Sequence, residues 1–178
     1  MNIDYTQNHW FAAHTKVNQE FKIREQLDEL QVVNFLPVHD IIREVRGIRQ
    51  NITSPLIPMI IFLNTTYNNC FNLLNKEFVN ISFIRNIDSS HLLIVPDYQM
   101  TNFIELYNKA QGEIEIINRN IKAGDKIRVI NGPFTGIEGE IVRYKGDKRL
   151  LVRLDGLFSA ASKVYIPKEF LRVVAQGK

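Results

Sequence analysis

The chain has 178 residues, 45% of them hydrophobic and 23% charged, which suits one large or two small folded domains and excludes a disordered or low-complexity protein. Its net charge of +3 is unevenly spread: residues 1–110 hold 9 Lys+Arg against 11 Asp+Glu, a net of −2, and residues 111–178 hold 13 against 8, a net of +5. The single cysteine, Cys70, excludes an internal disulfide and suits a reducing cytoplasm, and no metal-ligand spacing joins it to His9, His14, His39 and His91.

Residues 1–9 are polar, with no apolar core of a signal peptide, and the longest apolar run, residues 56–63, is far too short to span a bilayer, so no membrane role is expected. Residues 9–14 read as a first strand. Thr15 is a plausible N-cap for an amphipathic helix over residues 16–30, with Phe21, Ile23, Leu27 and Leu30 on the buried side and Glu20, Lys22, Arg24 and Glu25 mostly on the other. Residues 32–35 form a short strand that Pro37 ends. Residues 41–52, turning at Gly47, read as an exposed hairpin with Arg43, Arg46 and Arg49 near its tip. Pro55 and Pro58 lead into residues 59–63, apolar on both faces and therefore a central strand. A short helix over 68–75, strands over 79–84 and 92–95, and a helix from Pro96-Asp97 to Ala110 complete an α+β sandwich. Residues 111–121 show no sustained period and read as a linker.

Beyond the linker, residues 126–130 alternate polar with β-branched apolar residues, and Asn131-Gly132-Pro133 is a strong turn signal. Gly136 and Gly139 stand where the chain re-enters the next strand, residues 137–144. Strands over 149–154, 163–166 and 170–174 follow, enough to close a small β-barrel over residues 122–178. Leu157 to Ala161 is the one stretch of the barrel with helical leanings. Arg143, Lys145, Lys148, Arg149 and Arg153 crowd one hairpin around Gly146-Asp147, either a nucleic-acid contact or a solvated turn. No nucleophile elbow, phosphate loop or HExxH is present, so the chain reads as a binding protein without cofactor or metal and not as an enzyme.

The run GDKIRVINGPFTGIEGEIV, residues 124–142, resembles the KOW motif that opens an SH3-like barrel in NusG-type transcription factors and some ribosomal proteins. The first 110 residues resemble the NGN domain of the NusG family through WFAAHTK at 10–16, Glu20, FLP at 35–37, PLIPMIIF at 55–62 and VPD at 95–97. Within the family, the divergent N-terminal domain and basic hairpin are most similar to the specialised antiterminators of the RfaH and UpxY type, which serve capsular polysaccharide and related operons. Met59-Ile60 stand where the family often has Gly-Tyr, and Ile57 where most members have an aromatic. The His-Thr-Thr patch of RfaH has no convincing match.

The resemblance implies a cytoplasmic, monomeric elongation or antitermination factor that packs an apolar patch on the clamp helices of RNA polymerase. Carried over by position, the patch comprises Ala12, His14, Ile57, Pro58, Ile60, Phe62 and Phe83. Lys16 and Lys22 fall where the specialised relatives touch the non-template DNA strand, and Arg43, Arg46 and Arg49 are a second DNA or polymerase contact. In the family the barrel can bind a small-subunit ribosomal protein or the termination factor Rho, and here its cations would meet nascent RNA or the ribosome. A general NusG-like elongation factor or a ribosome-associated KOW protein are the alternatives; the N-terminal series of motifs speaks against the latter.

Overall fold

A computed structural model describes residues 4–76, 78–111, 113–117, 121 and 124–175, with the side chain of Val45 left aside. The fold is mixed α+β with antiparallel sheets, and the chain divides into two compact units, Met1–Pro96 and Asp97–Lys178.

In the first unit, β1 (Asn8–Thr15) and β5 (Ile60–Thr66) pair antiparallel at the centre of a sheet ordered β2 (Val33–Phe35), β5, β1, β6 (Ile81–Phe83), with β7 (Ile94–Val95) also on β1. Strand alternation sends Phe11 and Ala13 of β1 and Ile61 and Leu63 of β5 to one face. There they meet Ile23 and Leu27 of α1 (Glu20–Glu29) and Tyr67, Cys70 and Leu73 of α2 (Tyr67–Leu74) in one buried cluster. Each fully buried Phe, Ile or Leu of this cluster contributes about 1.5–3 kcal/mol. Thr66 caps α2 by accepting from the Asn69 amide at 3.2 Å. The first helix is shorter than its pattern suggests. Thr15 ends β1 instead of capping, and the chain turns through Asn18, at φ 59, before Glu20. β3 (Val38–Val45) and β4 (Ile48–Pro55) form a separate two-stranded ribbon.

The second unit opens with α3 (Asp97–Ala110), which the sequence had closing the first domain at residue 110. The rest is one sheet ordered β13 (Leu171–Ala175), β9 (Asp125–Val129), β10 (Glu138–Tyr144), β11 (Asp147–Leu154), β12 (Phe158–Ser162), β8 (Ile114–Ile117). Two expectations fail here. Part of the supposed linker is β8, whose Ile114 and Ile117 are buried against β12. The strand expected over 163–166 lies earlier, at Phe158–Ser162, where every residue is buried; the stretch with helical leanings is thus a strand, paired on both edges. Tertiary pairing overrides propensity in so short a segment.

The turn between β9 and β10 is held by its glycines. Gly132 sits at φ 79, and a Cβ there would meet the Phe170 ring at 2.8 Å. A Cβ on Gly139 would approach the Leu151 carbonyl oxygen to 2.5 Å, so β10 and β11 could not pair as closely. Pro133 lies exposed in the same turn, and the Gly136 amide, at φ 97, donates to the Val129 carbonyl at 2.9 Å. Helix α3 packs on this sheet. Gln99 donates to the Asp155 carboxylate at 2.6 Å and accepts from its amide at 2.9 Å, while Asn102 accepts from the Glu138 amide at 2.8 Å.

Candidate functional site

The register of β1 on β5 decides which patch residues can act together. Ala12 pairs with Phe62 and His14 with Ile60, so these four share the sheet face turned away from α1 and α2. Phe83 pairs with Ala13 and therefore lies on the opposite face, 6 Å from the Phe11 ring inside the core. Exposure divides the patch again. Ala12 and Phe62 are fully buried, and Ile57 is 5% exposed. His14 and Pro58 are exposed and Ile60 is half-buried. Of the seven patch residues carried over by position, Ala12, Ile57, Phe62 and Phe83 are therefore buried, and what remains at the surface is a corner made of His14, Pro58 and Ile60 with Met59, the last 41% exposed.

This corner is braced by a residue that amphipathic periodicity had placed in solvent. Glu20 is 4% exposed, and its carboxylate accepts from the Met59 amide at 2.9 Å. The Met59 carbonyl in turn accepts from the Thr15 amide at 2.9 Å. Between these two bonds Met59 is held at φ 61, a left-handed conformation that costs a residue with a Cβ about 1–2 kcal/mol. The bracing fixes the direction in which Pro58 and Met59 project beside His14.

Lys16 and Lys22 are both exposed, Lys16 in the turn after β1 and Lys22 on α1. The ribbon of β3 and β4 carries Arg43, Arg46 and Arg49, all exposed and none within ion-pair distance of a carboxylate among the described residues. Arg46-Gly47 is its two-residue turn, with Arg46 at φ 54 and Gly47 at φ 79.

The five barrel cations are not equivalent. Arg153 is held by Glu140 through two bonds of 2.7 and 3.0 Å and also donates to the Ile121 carbonyl. Arg149 and Lys145 both bond Glu115. Burial alone would raise the Glu140 pKa, but hydrogen bonds from Arg153 and the Gly124 amide, with the charges of Arg153 and Lys126, outweigh it and hold the group below its ordinary value. The Lys145 hydrogen bond, then those of Tyr144 and the nearby cations, lower Glu115 likewise. The turn is Lys145-Gly146, with Asp147 already in β11. Arg143 and Lys148 remain, exposed and directly opposite each other on β10 and β11. Among the described residues no group of three His, Cys, Asp or Glu side chains is placed to hold a metal, and no helix is long and apolar enough to cross a membrane.

Comparison with known proteins finds no match among curated sequences. Among solved structures, one titled "Domain interaction in Thermotoga maritima NusG" is 15% identical, covering 96% of this chain and 99% of that one with a TM-score of 0.48. Another, the MjSpt4:Spt5 complex in conformation B, is 18% identical over 95% and 99% of the two chains, with a TM-score of 0.28. The family model described as "Transcription termination factor nusG" matches residues 8–104, more than half of the chain, and covers β1 through most of α3. The chain belongs to the NusG family of transcription factors.

Proposed function

We propose that this protein is a transcription elongation or antitermination factor that docks on RNA polymerase through the corner of His14, Pro58, Met59 and Ile60. The observation that carries the reading is this corner: an exposed, braced, mixed apolar surface inside the stretch that the NusG family model covers. Ile57, Ala12 and Phe62 support it from beneath, and Phe83 belongs to the core on the other face. Lys16, Lys22 and the free arginines of the ribbon supply positive charge for the exposed non-template DNA strand, with phosphate contacts that carry little sequence information. The finer reading, a factor dedicated to particular operons of the capsular polysaccharide type, draws support from the divergent sequence of the N-terminal domain and from the basic ribbon.

The test is capture of polymerase core by the full chain, with a thermal melt of each variant. Ile60→Glu and His14→Glu should melt like the parent and lose polymerase binding at least tenfold, because docking would bury an unpaired charge. Ile57→Glu should instead lower the melting temperature steeply, since that side chain is already inside the protein. Parent-like capture by both folded surface variants would overturn the reading.

A further inference from the structure

Helix α2 buries one apolar stripe and leaves a second one uncovered. Tyr67, Cys70 and Leu73 recur every three residues and point into the core. Phe71 and Leu74, each one position on from that stripe, stay 42% and 40% exposed. The chain adds rings beside them. Tyr5, 46% exposed, meets Tyr67 edge-on with ring centroids 5.0 Å apart, and Tyr67 lies 5.5 Å from Phe71, so the three rings form one row. Phe78, 49% exposed, follows in the turn that the Val79 amide closes on the Lys76 carbonyl. With about 200 Å² for each side chain, Tyr5, Phe71, Leu74 and Phe78 leave about 350 Å² of mostly apolar surface. Patches of that size on a folded chain often mark a partner site.

The surroundings of this patch say what kind of partner it fits. None of the eight residues of α2 is charged. On the helix surface Phe71 is flanked by Tyr67 and Asn68 on one side and by Leu74 and Asn75 on the other. Asn68 and Asn75 are exposed. An amide side chain both donates and accepts, so it pairs with its own kind, as a carboxylate or an ammonium does not. Among the described residues, the exposed charges next along the chain are Asp4, beside Tyr5, and Lys76, after the helix, one of each sign. A twofold axis sets a surface against itself. A face of rings, leucine and amides meets its own copy without repulsion and with its hydrogen-bonding groups matched, whereas a charged partner finds no counter-charge on it.

We infer that two copies of this chain associate through this face, in an antiparallel contact of α2 with α2 centred on Phe71. Antiparallel packing about Phe71 sets Asn68, three residues before it, opposite Asn75 of the second copy, four residues after. Interfaces are a little over half apolar, so one that covers this patch spans about 600 Å² per copy and about 1,200 Å² in all, the lower limit of a specific contact. The dimer is therefore reversible and forms as concentration rises, a departure from the monomer that the family resemblance implies. His14 and Ile60 lie on the sheet face turned away from α2, so the association leaves that corner open.

The experiment is sedimentation velocity of the full chain from about 10 µM to about 1 mM, the range in which so small an interface fills, with a thermal melt of each variant. The parent's sedimentation coefficient should rise with concentration toward that of a dimer. Phe71→Glu and, separately, Leu74→Glu should melt close to the parent and sediment as monomers throughout, since a dimer would bury their charge unpaired. Asn68→Asp with Asn75→Lys in one chain sets opposite charges across the twofold and should tighten the dimer about threefold at low salt. Asn68→Lys with Asn75→Lys sets like charges there and should weaken it. A parent that sediments as a monomer at every concentration, association that survives both glutamate variants, or charge variants that shift it equally or in the reverse order would each overturn the inference. So would loss of polymerase capture in Phe71→Glu at concentrations where the parent is monomeric, which would assign the face to polymerase. Ile60→Glu should dimerise like the parent, so this inference and the docking corner fail separately.

Discussion

The ribbon of β3 and β4 and the hairpin of β10 and β11 make the same turn with the same chemistry and hold their charge in opposite ways. Both reverse through a cation followed by glycine: Arg46-Gly47 at φ 54 and 79, Lys145-Gly146 at φ 50 and 91. In each, a side chain with a Cβ occupies the left-handed region where asparagine or glycine is preferred. Lys145 has something to hold it there. It pairs with Glu115 and lies 5.3 Å from the Tyr144 ring. Arg46 has no partner within the ribbon, and neither have Arg43 and Arg49, although Glu44 faces Arg49 across the strands. In the ribbon no contact of the arginine offsets the cost of that conformation. The barrel hairpin spends most of its cations on its own architecture, and the ribbon presents all of its arginines to solvent.

The largest effect that separates the two is the removal of one arginine from each. Arg153→Ala leaves Glu140, 9% exposed, with only the Gly124 amide and the more distant charge of Lys126. A buried carboxylate that loses its partner costs about 3–5 kcal/mol, reduced here to about 2–3 by the partial exposure of the pair. Arg43→Ala should change stability by less than about 0.5 kcal/mol, as surface substitutions do. Calorimetry of the two variants checks the contrast; equal melting temperatures would erase it.

Acid separates them next. Glu140 and Glu115 titrate below their ordinary value in the folded chain. A depressed folded pKa contributes stability that is complete above the unfolded value and is lost as pH falls through the folded one. Stability of the parent should therefore be level near neutrality and fall below about pH 4.5. Glu140→Gln should flatten that fall while lowering the melt at neutral pH. Melts between pH 7 and 3 decide it: a variant as acid-sensitive as the parent would mean that the Glu140–Arg153 pair is not what acid breaks.

How far such features could be read from sequence depends on whether they are local. The central strand after Pro58, the ribbon, the helix from Asp97 to Ala110 and the glycine-marked turn all announce themselves through periodicity or turn chemistry. What stayed hidden depends on partners distant in the chain. Glu20 looks solvated by helical spacing, and only its bond to Met59, across 39 positions, makes it interior. Glu115 sat in a supposed linker, so its neutralising of Lys145 and Arg149 could not be counted, and the barrel looked freer in charge than it is. Phe83 and Phe62 are equally aromatic, and strand register alone sends one into the core and the other to the opposite face.

The smallest expected effect is the most selective. Asparagine tolerates the left-handed region better than arginine or lysine, and Asn-Gly is the preferred two-residue turn of a hairpin. Arg46→Asn should therefore relieve backbone strain at no internal cost and stabilise the ribbon by about 1 kcal/mol at most. Lys145→Asn gains the same backbone relief but gives up the bond to Glu115 and the contact with Tyr144, so its melting temperature should not rise. Amide exchange across the Glu44–Arg49 and Val45–Ile48 pairs of the ribbon, and across the Arg143–Lys148 and Tyr144–Asp147 pairs of the barrel, reads the two turns separately. Slower exchange in the ribbon alone is the expected result. If binding of polymerase or of a non-template DNA strand falls in Arg46→Asn while the ribbon grows more stable, the arginine is kept for its partner. A ribbon that gains nothing from asparagine would show that Arg46 is held by contacts within the protein, and the difference between the two hairpins would disappear.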